Sequence, residues 1–380
     1  TAKMAAILEQ LLPKDLITAG LVNCNTSTST EIIKVNLASH PFPGKAGVAG
    51  VKKMLKLCNS LTEDDIVICL ISGGGSALLP YPVKSVSIED LNELTKLLVL
   101  SGVEVYEMQK IRKHISQIKG GQLAKLLQPA TVISLILSDV VNPNDVTASG
   151  PTRPDESTFQ DAYKVLKKYN LLDKVPPSII AHLDKGLNHK ISETPKPNDP
   201  LFKNVFNFVL ANNQISLQSM SKVAQQLGYQ TKVIKLPILG EMSKAVKKTE
   251  SLINQYFKKV KKASALIFST EMVINVQGKG KGGRNQHYVA QLIPFLAKIP
   301  NSVFLSLDTD GIDFSPDATG AIIDHTTYSQ LKAKKLDLNK YLNQNDSFHL
   351  HKKLNNLVIT GPTGTKVGDV CVFLTNKSLY

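Results

Sequence analysis

Short apolar runs alternate with longer stretches of helical period in the first half of the chain. Residues 65–71 (DIVICLI) and 131–137 (TVISLIL) are apolar at almost every position. Such runs are typical of strands that are covered on both faces of a parallel sheet. Stretches of helical period flank them, at residues 2–12, 48–61, 87–101 and 107–127. The alternation predicts an α/β fold with a parallel sheet, and Ser87 is a candidate N-cap.

A proline-rich segment interrupts this pattern. Residues 192–200 (SETPKPNDP) contain three prolines and no apolar side chain, which is typical of a linker. Since 380 residues exceed what one core usually supports, we expect two α/β domains, at residues 1–198 and 199–380. The helical stretch at the start lacks a preceding strand, so the first strand is expected upstream. In the second domain, strands are predicted at residues 205–210, 232–236, 265–268, 272–276, 303–307 and 370–374.

The most unusual segment is residues 278–286 (GKGKGGRNQ), which combines four glycines, two lysines and an arginine ahead of a predicted helix. Glycine backbone N–H groups, a helix N-terminus and Lys279, Lys281 and Arg284 would suit a phosphate or a carboxylate. Gly278, Gly280 and Gly283 also fit G-x-G-x-x-G, which could mean a dinucleotide loop, a phosphate-covering loop or a plain hairpin. From the pattern alone, an anion site and a flexible basic turn are equally supported.

Two further glycine loops follow predicted strands. Residues 72–77 (SGGGSA) come at the carboxyl end of the strand at 65–71, where ligands collect in open α/β sheets. A turn that only reverses the chain is the alternative, but three consecutive glycines cost conformational entropy and favour a functional role. Residues 361–365 (GPTGT) form the third loop.

Acidic residues also lie at strand ends. Asp308, Asp310 and Asp313 follow the strand at 303–307 and suit a hard cation such as Mg²⁺, although acidic turns also occur without a ligand. Asp139 ends the strand at 131–137 and could hold a metal or a hydroxyl, or cap a turn. The stretch at 107–127 carries Arg112 and Lys119, and taken alone such a basic helix is more often a solvated face.

Composition adds limits to these readings. The net charge of +14 would suit nucleic acid, an anionic membrane or small anionic substrates, but the lysines are spread along the chain and no aromatic platform accompanies them. The sequence therefore disfavours a nucleic-acid partner. No apolar run reaches the roughly 18 residues of a membrane span, so no membrane partner is expected. The four cysteines lack metal or disulfide spacing and are expected to be reduced thiols in an intracellular protein.

Six motifs in this order carry a family resemblance. SGGGSALLP, IRKHISQIKGG, LILSDVV with ASGPT, GKGKGGRNQ, TDGID and TGPTGT resemble the glycerate 2-kinases, and the animal glycerate kinases in particular. The resemblance spans almost the whole chain. It implies an N-terminal Rossmann-like domain, a C-terminal MOFRL domain and an active site in the cleft between them. It also implies phosphorylation of D-glycerate to 2-phosphoglycerate with ATP and Mg²⁺.

The resemblance also implies roles for individual residues. The implied catalytic residues are Arg284, Asp310 and Lys119. Substrate would be bound by Arg112, Asn285 and Asp139, with Lys119 and Arg284 as further candidates for the carboxylate clamp, and metal by Asp310 and Asp313. Nucleotide phosphates would be held by Ser72, Gly73, Gly74, Gly75, Ser76, Gly278, Lys279, Gly280, Lys281, Gly282, Gly283 and Thr363.

This chain departs from the family pattern at several of these motifs. The family's N-terminal Gly-Lys would align ahead of Thr1, and the substituted positions are Ser269, Thr270, His287, Leu307, Asp308 and Lys366. These departures keep open a non-catalytic member that binds nucleotide. A second rival is a hydroxypyruvate or tartronate reductase, because G-x-G-x-x-G after a strand also serves dinucleotides. We expect a monomer or homodimer in the cytoplasm, with the mitochondrion as the alternative compartment.

Overall fold

The structure, a computed structural model, describes residues 1–139 and 147–376. The chain folds into two units, and the main boundary between them lies between Leu210 and Ala211. The domain boundary predicted at residues 198 and 199 lies ahead of this point and stays a prediction. The last two residues of the LILSDVV motif lie outside the described residues.

The first unit alternates strands and helices as the sequence pattern predicts. Its strands are β1 (Gly20–Cys24), β2 (Ile33–Leu37), β3 (Ile66–Ser72), β4 (Thr131–Leu137) and β5 (Val205–Ala211). Its helices are α1 (Ala2–Leu11), α2 (Lys45–Leu57), α3 (Gly75–Leu78), α4 (Ile88–Leu100), α5 (Val105–His114), α6 (Gln122–Leu126), α7 (Phe159–Lys168) and α8 (Pro177–Leu187). Strand β1 pairs with β2 and β3 with β4, both in parallel, and β5 lies beside β4. The predicted parallel arrangement is confirmed.

Local sequence signals explain where α4 begins. The Ser87 hydroxyl accepts a hydrogen bond from the Asp90 N–H at 3.0 Å, and the Asp90 carboxylate accepts one from the Ser87 N–H at 3.4 Å. This reciprocal cap satisfies N–H groups that a helix start otherwise leaves unpaired. The apolar face of α4 then packs through Leu94 and Leu98 into a helical core that includes Ile111 of α5. The predicted N-cap at Ser87 is confirmed.

The single helix predicted at residues 107–127 is wrong. Helix α5 ends at His114, and α6 starts only at Gln122. Gly120 and Gly121 between them have φ angles of 58° and 79°, in the left-handed region that a helix cannot continue through. The break turns the chain, so that Arg112 and Lys119 lie on different segments.

The second unit is built on one mixed sheet. Its strands are β6 (Gln230–Val233), β7 (Ile238–Glu241), β8 (Ser264–Val273), β9 (Ser302–Asp308), β10 (Gly320–Asp324), β11 (Leu357–Val358) and β12 (Asp369–Thr375). Its helices are α9 (Asn213–Gln226), α10 (Met242–Lys259), α11 (Arg284–Leu296), α12 (Thr327–Ala333), α13 (Leu338–Asn343) and α14 (Ser347–Leu354). The strand order is β11-β10-β9-β12-β8-β6, and β7 also pairs with β8.

The centre of this sheet sets the geometry of the charged residues. Strand β12 runs antiparallel between β8 and β9, and its register places Asp369 opposite Asp308. Helix α11 packs on the sheet through Tyr288 and Leu292, against a core that includes Phe304. The start of α11 therefore lies near the ends of two central strands.

The strand predicted at residues 265–268 and the first two residues of the one predicted at 272–276 belong to the single strand β8, which ends at Val273, so the prediction was wrong for residues 274–276. Ser269 and Thr270, the polar residues between the predicted runs, are buried and pair with Val370 and Asp369 of β12. Because these two side chains are polar, the hydrophobic pattern broke at their positions and predicted two strands where the structure has one. Among the described helices, none combines the length and apolar character that crossing a bilayer requires.

Candidate functional site

The first unit contains a cavity of about 200 Å³ at the break between α5 and α6. Its wall combines a proline-rich turn at residues 40–43, the glycine loop after β3, the last turn of α5 and the segment that follows α5. The polar residues that line it include His40, Ser76, Tyr81, Arg112, Ser116 and Lys119. The predicted site residues Gly74, Ser76, Arg112 and Lys119 are thus brought together around one cavity.

Two cations line this cavity, and none of the described residues that line it is a carboxylate. Lys119 is 4% exposed, and its ammonium donates only a long hydrogen bond of 3.5 Å to the Ala148 carbonyl. Burial, together with a smaller effect of the nearby Arg112 charge, lowers the pKa of Lys119 to about 7. Burial also lowers the pKa of Arg112. Within residues 1–139 and 147–376, neither side chain forms an ion pair, so this cavity favours an anion.

Neighbouring Lys113 shows the contrast. Its ammonium pairs with the Asp155 carboxylate at 2.9 Å, and the Asp155 side chain is fully buried. The charge of Lys113, a buried cation next to Arg112 in the chain, is therefore neutralised by a buried carboxylate. In the part of the chain that the structure describes, Arg112 and Lys119 have no such carboxylate partner, which makes them candidates for ligand binding.

Three residues of the SGGGSA loop, Gly74, Ser76 and Ala77, line the cavity. Gly74, at a φ of 80°, precedes the four-residue α3, and a Cβ on Gly75 would lie 2.5 Å from the Ala148 Cβ. Ser76 shares a hydrogen bond of 3.2 Å with Ser149. Ser72 is bonded through its hydroxyl to Thr1 instead. The glycines at 74 and 75 thus serve a tight turn and a close backbone approach, and the phosphate roles of residues 72–76 stay a prediction.

The basic glycine loop of the second unit uses many of its N–H groups internally. The Gly278 N–H donates to the Asn345 side chain at 2.8 Å, the Gly280 N–H to the Gln344 carbonyl at 2.8 Å, and the Lys281 N–H to Asp346 at 3.0 Å. A Cβ on Gly278 would lie 2.2 Å from the Gln344 backbone. Packing against residues 344–346 therefore explains these glycines without a ligand.

Asp313 occupies the N-terminus of α11. Its two carboxylate oxygens accept hydrogen bonds from the backbone N–H groups of Asn285, at 3.1 Å, and Gln286, at 2.9 Å. The Asn285 side chain is completely buried and also donates to Asp313, while its carbonyl oxygen accepts from Ser306. The predicted roles of Asp313 in metal binding and Asn285 in substrate binding stay predictions, and each would have to break these bonds.

The lysines of the same loop differ in their surroundings. Lys281 pairs with Asp317 at 2.6 Å and lies 4.3 Å from the centre of the Phe348 ring. Lys279 is exposed. Both could swing toward an anion, since an exposed ion pair costs little to exchange.

Arg284 lies in a chain of alternating charges. Its Nε is 2.6 Å from Asp369 Oδ2, and its Nη2 is 3.4 Å from Asp308 Oδ2. Lys366 Nζ continues the chain, at 3.2 Å from Asp308 Oδ2 and 2.9 Å from Asp310 Oδ2. Burial raises the pKa of Asp369, although the Arg284 charge opposes this. We name these five residues, Arg284, Asp308, Asp310, Lys366 and Asp369, the charge network.

The turn at Asp310 is joined to the third glycine loop. The Thr363 N–H donates to the Asp310 carbonyl at 3.0 Å, and the Thr363 hydroxyl donates to the Thr309 carbonyl at 2.6 Å. Burial raises the pKa of the Glu271 carboxyl, and the charge of Asp139 raises it further, while the Arg284 charge opposes this. The structure thus brings Thr363 and Asp310 together, and the predicted substrate role of Asp139 stays a prediction.

The predicted magnesium ligands do not form a metal centre by themselves. Asp310 Oδ1 accepts from the Ile312 N–H at 2.8 Å and its Oδ2 bonds Lys366, while Asp313 caps α11. Across the part of the chain that the structure describes, no group of three or more His, Cys, Asp or Glu side chains is arranged to hold a metal ion. The side chains present therefore do not fit a metal held by the protein alone.

Comparison with known proteins decides the family. Residues 1–184 match a domain of unknown function, DUF4147, and residues 264–369 match the MOFRL family. The glycerate 2-kinase of Pyrococcus horikoshii is 39% identical over 91% of this chain and 78% of its own length. This chain belongs to the glycerate 2-kinase family.

Further members agree in sequence and structure. The crystal structure of the Thermotoga maritima glycerate kinase superposes with a TM-score of 0.85 at 35% identity, covering 98% of this chain and 88% of that one. The glycerate kinase of Danio rerio is 30% identical over 92% of this chain and 79% of its own length. A relative from Agrobacterium vitis, 31% identical over 98% of this chain and 96% of its own length, bears the provisional name hydroxypyruvate reductase.

Sequence reasoning missed three contributors to these two sites in this glycerate 2-kinase family member. His40 lies in a turn whose only signal was its prolines. Asp369 opens β12, and Lys366 was noted only as a departure from the family pattern, yet both belong to the charge network. An Asp at the start of a buried strand is a polar residue at an apolar position, which is the signal that could have marked Asp369.

Proposed function

We propose that this protein transfers a phosphoryl group from Mg-ATP to the 2-hydroxyl of D-glycerate, giving 2-phosphoglycerate. The observation that supports the proposal is a pair of cations, Arg112 and Lys119, that have no carboxylate partner among residues 1–139 and 147–376 and that line a cavity of about 200 Å³. A small hydroxy-acid has one carboxylate to neutralise, and two converging cations in a desolvated cavity bind such a group strongly. Family membership supplies the reaction class.

In this proposal Arg112 and Lys119 clamp the glycerate carboxylate. Ser76 and Ser116 also line the cavity, and their hydroxyls can donate hydrogen bonds to the substrate hydroxyl groups or accept hydrogen bonds from them. The Lys119 ammonium must be protonated to bind the anion, and a bound carboxylate raises its pKa from about 7 back toward the usual value for lysine. Glycerate binding is therefore coupled to proton uptake when the pH exceeds 7.

Arg284 is the proposed cation for the transferred phosphoryl group. Its guanidinium is held on one side by Asp369 and Asp308. The Arg284 side chain is 33% exposed, so part of the guanidinium stays accessible to a ligand. Asp310 would orient the attacking hydroxyl, a role that needs position more than base strength. ATP brings the phosphoryl group, and Mg²⁺ that accompanies it neutralises charge on the phosphates.

Product identification tests the proposal. The protein is incubated with D-glycerate and Mg-ATP, and ³¹P NMR identifies the product; a parallel reaction contains hydroxypyruvate and NAD(P)H. We expect 2-phosphoglycerate and ADP, with no oxidation of the nicotinamide. Nicotinamide oxidation would support the reductase alternative, and ATP binding without phosphoglycerate would support a non-catalytic member.

A matched pair of variants tests the cavity itself. Arg112→Met should raise KM for glycerate, whereas Lys125→Met removes one positive charge from an exposed position of α6 and should leave KM unchanged. An equal effect of both variants would show that general charge, and not the cavity, governs binding.

A further inference from the structure

Lys366 is the charged side chain whose place in the reaction the family motifs leave open. Its ammonium lies between two carboxylates, at 3.2 Å from Asp308 Oδ2 and 2.9 Å from Asp310 Oδ2. The Asp308 side chain is 5% exposed and that of Asp310 23%. Because these carboxylates are partly withdrawn from water, a cation between them interacts more strongly than one in an exposed pair.

The backbone around Lys366 is tied to the acidic turn on both sides. On one side the Thr363 N–H donates to the Asp310 carbonyl at 3.0 Å. On the other the Val367 N–H donates to the Thr309 hydroxyl at 3.0 Å, and that hydroxyl donates to the Gly368 carbonyl at 2.8 Å. These backbone hydrogen bonds hold the segment at residues 363–368 against the acidic turn and place Lys366 beside the two carboxylates.

Arg284 cannot neutralise this pair alone. It forms its short contacts with Asp369, at 2.6 and 3.0 Å, and reaches Asp308 only at 3.4 Å. The charge network holds three carboxylates and two cations, so without Lys366 the Arg284 guanidinium would be the one cation left in the network to balance three acids. A net negative, partly buried group of oxygens is what a divalent cation prefers.

We propose that the Lys366 ammonium is the resident cation of the Asp308 and Asp310 carboxylates, in the place that a metal held by the protein would take. The free protein then binds no divalent cation at these carboxylates, and any metal used in turnover arrives on the nucleotide. The inference concerns the free protein, so it does not depend on which substrate is phosphorylated.

Manganese binding without nucleotide tests this inference. Mn²⁺ is titrated into the full chain and the free ion is followed by electron paramagnetic resonance. We expect no stoichiometric site in the wild type, and a single site at least about tenfold tighter than any wild-type binding in Lys366→Met. The site should disappear again in Lys366→Met combined with Asp310→Asn.

Two results would overturn the inference. One is a stoichiometric Mn²⁺ site in the wild type that Asp310→Asn abolishes. This result can be obtained without any Lys366 variant. The other is a Lys366→Met protein with wild-type circular dichroism that gains no site. Lys366→Asn, which keeps a polar group, provides a second variant if the Met protein is unfolded.

Lys168→Met is the matched control. Lys168 also pairs with a carboxylate, that of Glu107 at 2.9 Å, but its own side chain is 60% exposed. Its removal changes the net charge by the same amount. Mn²⁺ binding equal to that of Lys366→Met would assign the effect to net charge and refute the proposed role of Lys366.

Discussion

Lys119→Met should stabilise the free protein and weaken glycerate binding at the same time. The folded protein holds Lys119 with a pKa of about 7, whereas the ordinary value is 10.5. At pH 7 the unfolded chain keeps this lysine fully protonated and the folded protein only about half, so linkage puts the cost of the native lysine at about 4 kcal/mol. Methionine has a similar length and no charge, so the variant should recover part of this cost.

The same argument fixes the pH dependence. Between pH 7 and about pH 10 the unfolded chain binds more protons at this lysine than the folded protein does, so wild-type stability rises with pH in that window. The variant lacks this contribution. Its advantage over the wild type should therefore be largest near pH 7 and shrink toward pH 10.

The loss in binding follows from the lost charge. A hydrogen bond to a charged group contributes about 1.5–3 kcal/mol, so Lys119→Met should weaken glycerate binding roughly 10- to 100-fold. Wild-type affinity should itself fall as the pH rises above 7, because the anion requires the protonated lysine.

Urea unfolding followed by circular dichroism at pH 7 and pH 9, with calorimetric titration of glycerate, measures both effects. Lys125→Met, at an exposed position, is the control and should change neither quantity. A Lys119→Met protein that is less stable than the wild type at both pH values, or that binds glycerate as tightly, would refute the reasoning.

Three further changes probe the second unit. Arg284→Lys keeps a positive charge but loses the guanidinium fork between Asp369 and Asp308, so kcat should fall about 100-fold in an ADP-release assay. Asp313→Ala removes the acceptor of two α11 N–H groups and should lower the free energy of unfolding by about 2–4 kcal/mol in urea titrations. Gly280→Ala places a Cβ 2.4 Å from that of Asp346 and should cost about 1–3 kcal/mol in the same titrations.

Each of these has an outcome that contradicts it. Wild-type kcat in Arg284→Lys would remove the fork geometry from catalysis. Asp317→Ala, which removes an exposed carboxylate paired with Lys281, should cost under about 1 kcal/mol, and an equal loss in it and Asp313→Ala would refute the capping argument. Unchanged stability in Gly280→Ala would show that the loop does not pack against residues 344–346 as described.

The sequence predicted best those elements whose signals are local. The strand at 131–137 is apolar throughout, and its bounds agree with β4. The Ser87 cap, three residues from its partner, was also visible. The prediction of one helix at 107–127 failed because the chain turns between α5 and α6, with Gly120 in the left-handed region. The prediction of two strands in place of β8 failed because Ser269 is polar although it is buried.

The site could be predicted as a set of residue types but not as contacts. The family motifs marked Arg112 and Lys119, and the structure places both at one cavity. The motifs could not show that Asp313 caps helix α11, whose Asn285 N–H donates to Asp313 from 28 residues earlier in the chain. They also could not show Lys366 between two carboxylates, since that contact depends on a register of distant strands.

The cations of the two candidate sites differ in what a ligand must do to reach them. Arg112 and Lys119 have no carboxylate partner among the described residues, and burial already lowers the pKa of each, so an anion that enters relieves an existing cost. Arg284 and Lys366 are already neutralised, so a phosphate must compete with Asp369 or Asp308 for them. Glycerate should therefore bind the free protein through the first pair without help. The second pair should respond only to a ligand with several negative charges, and a nucleotide triphosphate has that charge.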